Sequence, residues 1–202
     1  MIGPVYVVTD PDAPIPVIEQ ARAAALGGAW AVQLRDKSAP DAEIARMVAA
    51  LLEDLGPMGV RVFVNDRLEV ARQTGSDLHI GQGDGDPRAA RDRIGPEAKL
   101  GLSIETVSQC AAIPEGVDYI GAGPVRATAT KPDAAAPIGL PGLRRIVSAC
   151  TVPVVAIGGL TAADIPGLRA AGATGLAVVS AVTRASDPEA ATRALHDAWR
   201  QP

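Results

Sequence analysis

AVQLRDKSAPDAEIARMVAALLEDLGPMGVRVFV, running from Ala31 to Val64, reads as strand, helix, strand. Ala31–Leu34 is a short apolar run, Asp41–Leu55 is an amphipathic helical pattern, and Val60–Val64 is the next run rich in valine. The same alternation extends in both directions. Further strands are predicted near Val5–Thr9, Leu78–Ile80, Leu100–Leu102, Tyr119–Gly121, Val154–Ile157 and Leu176–Val179. Helices are predicted over Val17–Leu26, Arg67–Gln73, Leu140–Cys150, Ala162–Ala171 and Pro188–Trp199, the last opened by Asp187-Pro188. Eight strand–helix units with no consecutive strands imply a parallel sheet. Eight such units close into a (β/α)8 TIM barrel, and about 200 residues lies at the short end of that fold. The expectation is a compact single α/β domain over residues 1–202.

A doubly wound open sheet fits less well. Gly81-Gln82-Gly83 and Gly121-Ala122-Gly123 both lack the third glycine of a dinucleotide fingerprint, and neither a GxxxxGK[ST] loop nor an HExxH helix is present. Hydrophobic residues make up 48% of the 202, yet only two Trp, two Tyr and one Phe are aromatic, so Val, Leu, Ile and Ala are expected to build the core. Few aromatics and a net charge of −4 argue against nucleic acid as a partner. With no apolar run of about 18 residues and no basic leader, a cytoplasmic protein that does not engage a membrane is expected. Cys110 and Cys150 lie on unrelated segments and read as small buried hydrophobes. A homo-oligomer is left open.

Polar groups recur where the strands end, which in such a barrel is one mouth. Alternation along a strand turns Gln33, Arg35 and Lys37 the same way. Asn65 and Asp66 follow the third strand, Gln82 and Asp84 the fourth, and Ser103 the fifth. Thr128, Thr130 and Lys131 follow the sixth, Gly158-Gly159 the seventh, and Val179-Ser180 the eighth. Each has a local alternative. Asp66-x-x-Glu69 resembles a capping box, Asp84 suits a turn, Arg35 can pair with Asp36, and Ser103 can cap a helix starting at Ile104. His79 reads as a packed residue within a strand, and His196 as solvent-facing.

Taken jointly, the groups suit two anions. Magnesium is commonly held by one or two carboxylates plus substrate phosphates. Asp66 and Asp84 meet that need, with Arg35, Lys37 and Lys131 left to neutralise a diphosphate. Backbone amides at Gly159, Val179 and Ser180 would form the phosphate cup customary after the last two strands.

The chain also resembles thiamine phosphate synthase along nearly its whole length. The resemblance is carried by Tyr6-Val7-Val8-Thr9-Asp10, Val32-Gln33-Leu34-Arg35-Asp36-Lys37, Val64-Asn65-Asp66-Arg67-Leu68-Glu69 and Leu78-His79-Ile80-Gly81-Gln82-Gly83-Asp84. It continues through Gly101-Leu102-Ser103, Asp118-Tyr119-Ile120-Gly121-Ala122-Gly123-Pro124-Val125, Thr128-Ala129-Thr130-Lys131, Ala156-Ile157-Gly158-Gly159 and Ala177-Val178-Val179-Ser180. The resemblance implies a transferase that joins hydroxymethylpyrimidine diphosphate to thiazole phosphate and releases pyrophosphate, through a pyrimidinylmethyl cation. It implies that Gln33, Arg35, Lys37, Asn65, Ser103 and Lys131 contact the pyrimidine diphosphate. Of these, Arg35, Lys37, Lys131 and Ser103 are expected to carry the catalysis. Asp66 and Asp84 would hold Mg²⁺, and Thr128, Thr130, Gly159, Val179 and Ser180 would contact the thiazole phosphate. The segment from Ala127 to Pro137 is expected to close over both substrates. One departure stands out: Arg126-Ala127 occupies the place where an aromatic residue and a proline are common. A thiazole tautomerase-like barrel, which would need the monophosphate cup but not the full magnesium-diphosphate half, and a non-catalytic binder of thiazole or thiamine phosphates, which tight binding without turnover would select, are the alternative readings.

Overall fold

The computed structural model describes residues 2–131 and 134–201. Its strands are β1 (Val5–Val8), β2 (Ala31–Leu34), β3 (Arg61–Asn65), β4 (Asp77–Ile80), β5 (Leu100–Ile104), β6 (Tyr119–Ala122), β7 (Val154–Ile157) and β8 (Gly175–Val178). All neighbours pair in parallel, and β8 returns to β1 through Val5↔Leu176, closing the barrel. The helices are α1 (Val17–Leu26), α2 (Asp41–Leu55), α3 (Leu68–Thr74), α4 (Pro87–Ile94), α5 (Val107–Cys110), α6 (Gly139–Ala149), α7 (Ile165–Ala170), α8 (Ser180–Thr183) and α9 (Pro188–Arg200). No helix among the described residues is long and apolar enough to cross a membrane.

The strands form because each is a run of four or five residues covered on both faces, so apolar side chains suit either direction. The helices form where apolar residues recur on one side. In α2, Ile44, Val48, Leu51 and Leu55 are buried and the rest of the helix meets solvent. Asp187 caps α9 by accepting from the Ala190 amide at 2.9 Å, with Pro188 in the first turn as the sequence implies.

The expected Val/Leu/Ile/Ala core accounts for the layer between sheet and helices. Inside the barrel Ile2, Ala31, Val155 and Ala177 contribute too, but aromatic rings fill much of the space. Tyr6, Phe63 and Tyr119 point into the lumen with Trp30 below them, their ring centroids 5.2–6.3 Å apart. Four of the chain's five aromatics thus fill the one space where side chains from opposite strands must meet across a wide gap. Gly101 makes room for them: a Cβ there would lie 2.3 Å from the Tyr119 ring and 2.4 Å from His79 Nδ1.

Several local expectations are corrected. β5 continues through Ser103 to Ile104, so Ser103 caps no helix, and Thr106 with Gln109 forms the capping box of α5. The predicted helix at Ala162–Ala171 opens as a 3-10 turn, Ala162–Asp164. His196 is half-buried against Gly28 rather than free in solvent. Cys110 and Cys150, distant in sequence, meet where α5 packs on α6; burial and the neighbouring thiol push Cys150 up to about 12.

Candidate active site

The carboxyl ends of the strands surround a cavity of about 200 Å³. Gln33, Arg35, Lys37, Asn65, Asp66, Asp84, Ser103, Thr128, Thr130, Lys131, Gly159, Val179 and Ser180 all line it. Gln82 does not; its Nε2 instead donates to the Ser103 carbonyl at 2.7 Å, bracing the end of β5.

On the β2 side, the Arg35 amide donates to Thr9 Oγ1 at 3.0 Å, which fixes the turn of the chain out of the strand. The proposed Arg35–Asp36 pair is absent. Asp36 accepts instead from the Ser38 amide, the Ser38 hydroxyl and the Ala39 amide. Burial works against its charge, but those bonds prevail and hold its carboxyl below the usual range. Arg67 braces the same loop from outside, donating to the carbonyls of Asp36, Lys37 and Ala39 and pairing with Asp41 at 2.6 Å. Arg35 and Lys37 have no carboxylate partner among the described residues, and both face the cavity.

Asp66 is no helix cap. It has a left-handed φ of 53°, the one non-glycine residue with positive φ among those described, and Arg67 takes the position before α3. Its carboxylate lies 3.4 Å from Arg67 Nε. Burial first, and then the Asp84 charge, raise its pKa against the pull of Arg67, Lys37 and Arg35. Asp84 does serve its turn, accepting from the Gly81 amide at 2.7 Å, while also facing the cavity. Two carboxylates that repel one another beside two cations form an oxygen-donor pair suited to a divalent ion. No cluster of three or more candidate ligands occurs among the described residues. A hard cation that keeps waters and shares substrate phosphates needs no more than two carboxylates, so the donor set fits Mg²⁺.

A buried polar chain that sequence reasoning missed crosses the floor. Gln33 Nε2 donates to the Tyr6 hydroxyl at 2.8 Å, and the Tyr119 hydroxyl donates to Tyr6 at 3.1 Å. His79 Nδ1 lies 2.8 Å from the Tyr119 hydroxyl, and its Nε2 lies 3.0 Å from Ser103 Oγ. Burial pushes His79 down to about 4 and raises both tyrosines, so all three remain uncharged near neutrality. The signal was available: Tyr6, His79 and Tyr119 are polar residues at inward positions of their strands.

On the opposite side, Gly158 and Gly159 have φ of 102° and 62°. A Cβ on Gly159 would lie 2.3 Å from the Ala127 carbonyl, so the chain after β6 rests directly on this turn. The amides of Gly159, Val179 and Ser180 have no backbone acceptor among the described residues. Thr128 and Thr130 hydroxyls lie 2.9 Å apart above them. Lys131 reaches across toward Glu105, another residue missed from sequence, at 3.8 Å. The expected closing segment includes Pro132 and Asp133, which lie outside the described residues.

The family model described as thiamine monophosphate synthase matches residues 5–182. The chain is 44% identical over 184 residues to the thiamine-phosphate synthase of Moorella thermoacetica, covering 90% of this chain and 88% of that protein. It is 45% identical to the thiamine-phosphate synthase of Roseiflexus castenholzii, covering 98% and 89%. Among solved structures, thiamine phosphate pyrophosphorylase from Pyrococcus furiosus superposes with a TM-score of 0.87 at 34% identity, covering 96% of this chain and 94% of the other. A 3-hexulose-6-phosphate synthase superposes at 0.72 with 20% identity, which is likeness of fold alone. With the family model spanning residues 5–182 and these relatives covering 90% or more of it, the chain belongs to the thiamine monophosphate synthase family.

Proposed function

We propose that this cavity condenses hydroxymethylpyrimidine diphosphate with thiazole phosphate, yielding thiamine phosphate and pyrophosphate in the cytoplasm. The carrying observation is the polar split of the cavity. Arg35 and Lys37, without a carboxylate partner among the described residues, stand with Asp66 and Asp84 on one side, and the amides of Gly159, Val179 and Ser180, without a backbone acceptor among the described residues, on the other.

Diphosphate departs readily only when the charge it gathers is neutralised in place. Arg35, Lys37 and Lys131 supply positive charge around the leaving group, with Gln33, Asn65 and Ser103 orienting the pyrimidine. As the methylene carbon–oxygen bond breaks, both electrons leave with pyrophosphate and the pyrimidinylmethyl carbon becomes cationic. The thiazole nitrogen then attacks that carbon with its lone pair, while Thr128, Thr130, Gly159, Val179 and Ser180 hold the thiazole phosphate. Asp66 and Asp84 would hold Mg²⁺, which when bound supplies further neutralisation of the diphosphate. No protein nucleophile is required, and the neutral His79 and two tyrosines form an uncharged floor. The carbocation needs a site that excludes water, which the loop bearing Lys131 would help to provide.

The test mixes pure protein, Mg²⁺ and both substrates and follows thiamine phosphate and pyrophosphate. Arg35→Ala, Asp66→Ala and Lys131→Ala are each expected to depress turnover by about 10²-fold or more. Normal activity with unchanged magnesium dependence in Asp66→Ala would remove the metal assignment.

A further inference from the structure

Arg126 sits at the root of the loop that carries Thr128, Thr130 and Lys131. Its Nε and Nη2 both lie 2.6 Å from one oxygen of Asp164, Oδ1. The other oxygen, Oδ2, accepts from the Thr161 amide at 3.0 Å and the Thr161 hydroxyl at 3.2 Å. Asp164 is 5% exposed and Arg126 58%. The carboxylate is therefore a fixed point set by the turn before α7, and the long side chain comes to it.

The main chain agrees. The Val125 amide donates to the Ile157 carbonyl at 2.8 Å, and the Arg126 amide to the Gly158 carbonyl at 3.0 Å. The chain after β6 thus runs along the turn that follows β7, with Ala127 seated on Gly159. Burial works to raise the Asp164 pKa, but the Thr161 bonds and the guanidinium prevail, so the pair stays ionised at neutral pH. An ion pair with one exposed partner contributes little to global stability. What two bonds to one buried oxygen can do is fix the direction in which the chain leaves the β7 turn.

We infer that Arg126 and Asp164 are a positioning pair: they register the root of this loop against Gly158-Gly159 and so aim Thr128 and Thr130 at the phosphate of the second substrate. This rests on the function proposed above for the same cavity. Neither residue touches substrate in this assignment; both act through the threonines and Gly159.

Steady-state kinetics with each substrate varied separately tests it, using Arg126→Met, Arg126→Lys and Asp164→Asn. Arg126→Met and Asp164→Asn are expected to raise KM for thiazole phosphate about tenfold. KM for the pyrimidine diphosphate should stay within about twofold, and Arg126→Lys should recover part of the loss. Asp187→Ala, which uncaps α9 on the outer surface, controls for mere destabilisation: it should lower Tm and move neither KM. Unchanged thiazole phosphate KM in both disrupted variants, or an equal rise in Asp187→Ala, would overturn the assignment. An inactive wild-type protein would instead refute the function itself. The anchor would then be judged by amide exchange at Thr128–Lys131, faster in Arg126→Met if the pair holds the loop and unchanged if it does not.

Discussion

His79 has both ring nitrogens engaged, and its tautomer follows from its neighbours. The Tyr119 hydroxyl spends its proton on Tyr6, so Nδ1 must donate to Tyr119 and Nε2 must accept from Ser103. Ser103 is then left with lone pairs toward the cavity. Burial pushes the ring down to about 4 from an ordinary value of 6.5. A depressed histidine binds fewer protons folded than unfolded, so its stabilising effect is complete above about 6.5 and is lost as pH falls toward 4. The loss is at most about 3 kcal/mol, and less because one ring edge opens to the cavity. Urea unfolding of wild type and His79→Gln between pH 7 and pH 4 is expected to show a shallower decline for the variant; parallel curves would refute the assignment. The residue scale is also where letters mislead most. Asp66-x-x-Glu69 satisfies a capping pattern, yet the observed φ of 53° turns the carboxylate into the cavity. Aspartate tolerates that backbone region, so the sequence does not forbid it and does not announce it.

Elements were legible where periodicity was long and blurred where they were short. α1 and α2 fall where the apolar spacing puts them, whereas β3 and β8 are each displaced by one residue from their apolar runs. The reason at β3 is chemical: Arg61 and Asn65 are polar ends of a strand whose middle alone is buried. Arg61 belongs to an ionic layer at the amino ends of β3 to β6 that no local pattern reveals. It pairs with Asp77, whose Oδ1 also accepts from the Lys99 amide at 2.7 Å. Asp118 accepts from Arg91 at 2.5 Å, Lys99 Nζ at 2.8 Å and the Leu100 amide at 2.8 Å. Burial opposes the Asp118 charge, but Lys99 and the Leu100 amide outweigh it and lower its pKa. This stabilisation is therefore present above the unfolded carboxylate range and lost as pH falls through the folded value. Asp118→Ala strands an amide, a lysine and an arginine at the strand start. A cost of about 2 kcal/mol is expected by chemical denaturation, with both KM values unchanged because the layer lies at the far end of the strands from the cavity. A changed KM would mean the two ends of the barrel are coupled.

At the scale of the molecule, the barrel divides stability and chemistry between its two ends. The cavity groups were readable because a parallel sheet delivers every strand's last residues to one rim; for the floor each polar residue's inward position was readable but their bonding was not, because Tyr6 and Tyr119 stand 113 positions apart and meet only through closure. The division shows in how the arginines are used. Arg61 and Arg91 at the amino ends pair with carboxylates, while Arg35 at the carboxyl ends has no such partner among the described residues and faces the cavity with Lys37. The two cations repel each other, a cost that the neighbouring Asp66 charge offsets in part and that a bound polyanion relieves further. Arg35→Ala should therefore lower turnover yet leave Tm unchanged or raised by about 1–3 °C. Wild-type protein with pyrophosphate and Mg²⁺ should gain several degrees by mass action, and the variant should lose most of that gain. Thermal scans with and without pyrophosphate separate the cases. A lower Tm in ligand-free Arg35→Ala would make the guanidinium a structural group. An undiminished pyrophosphate shift would place the anion elsewhere in the molecule.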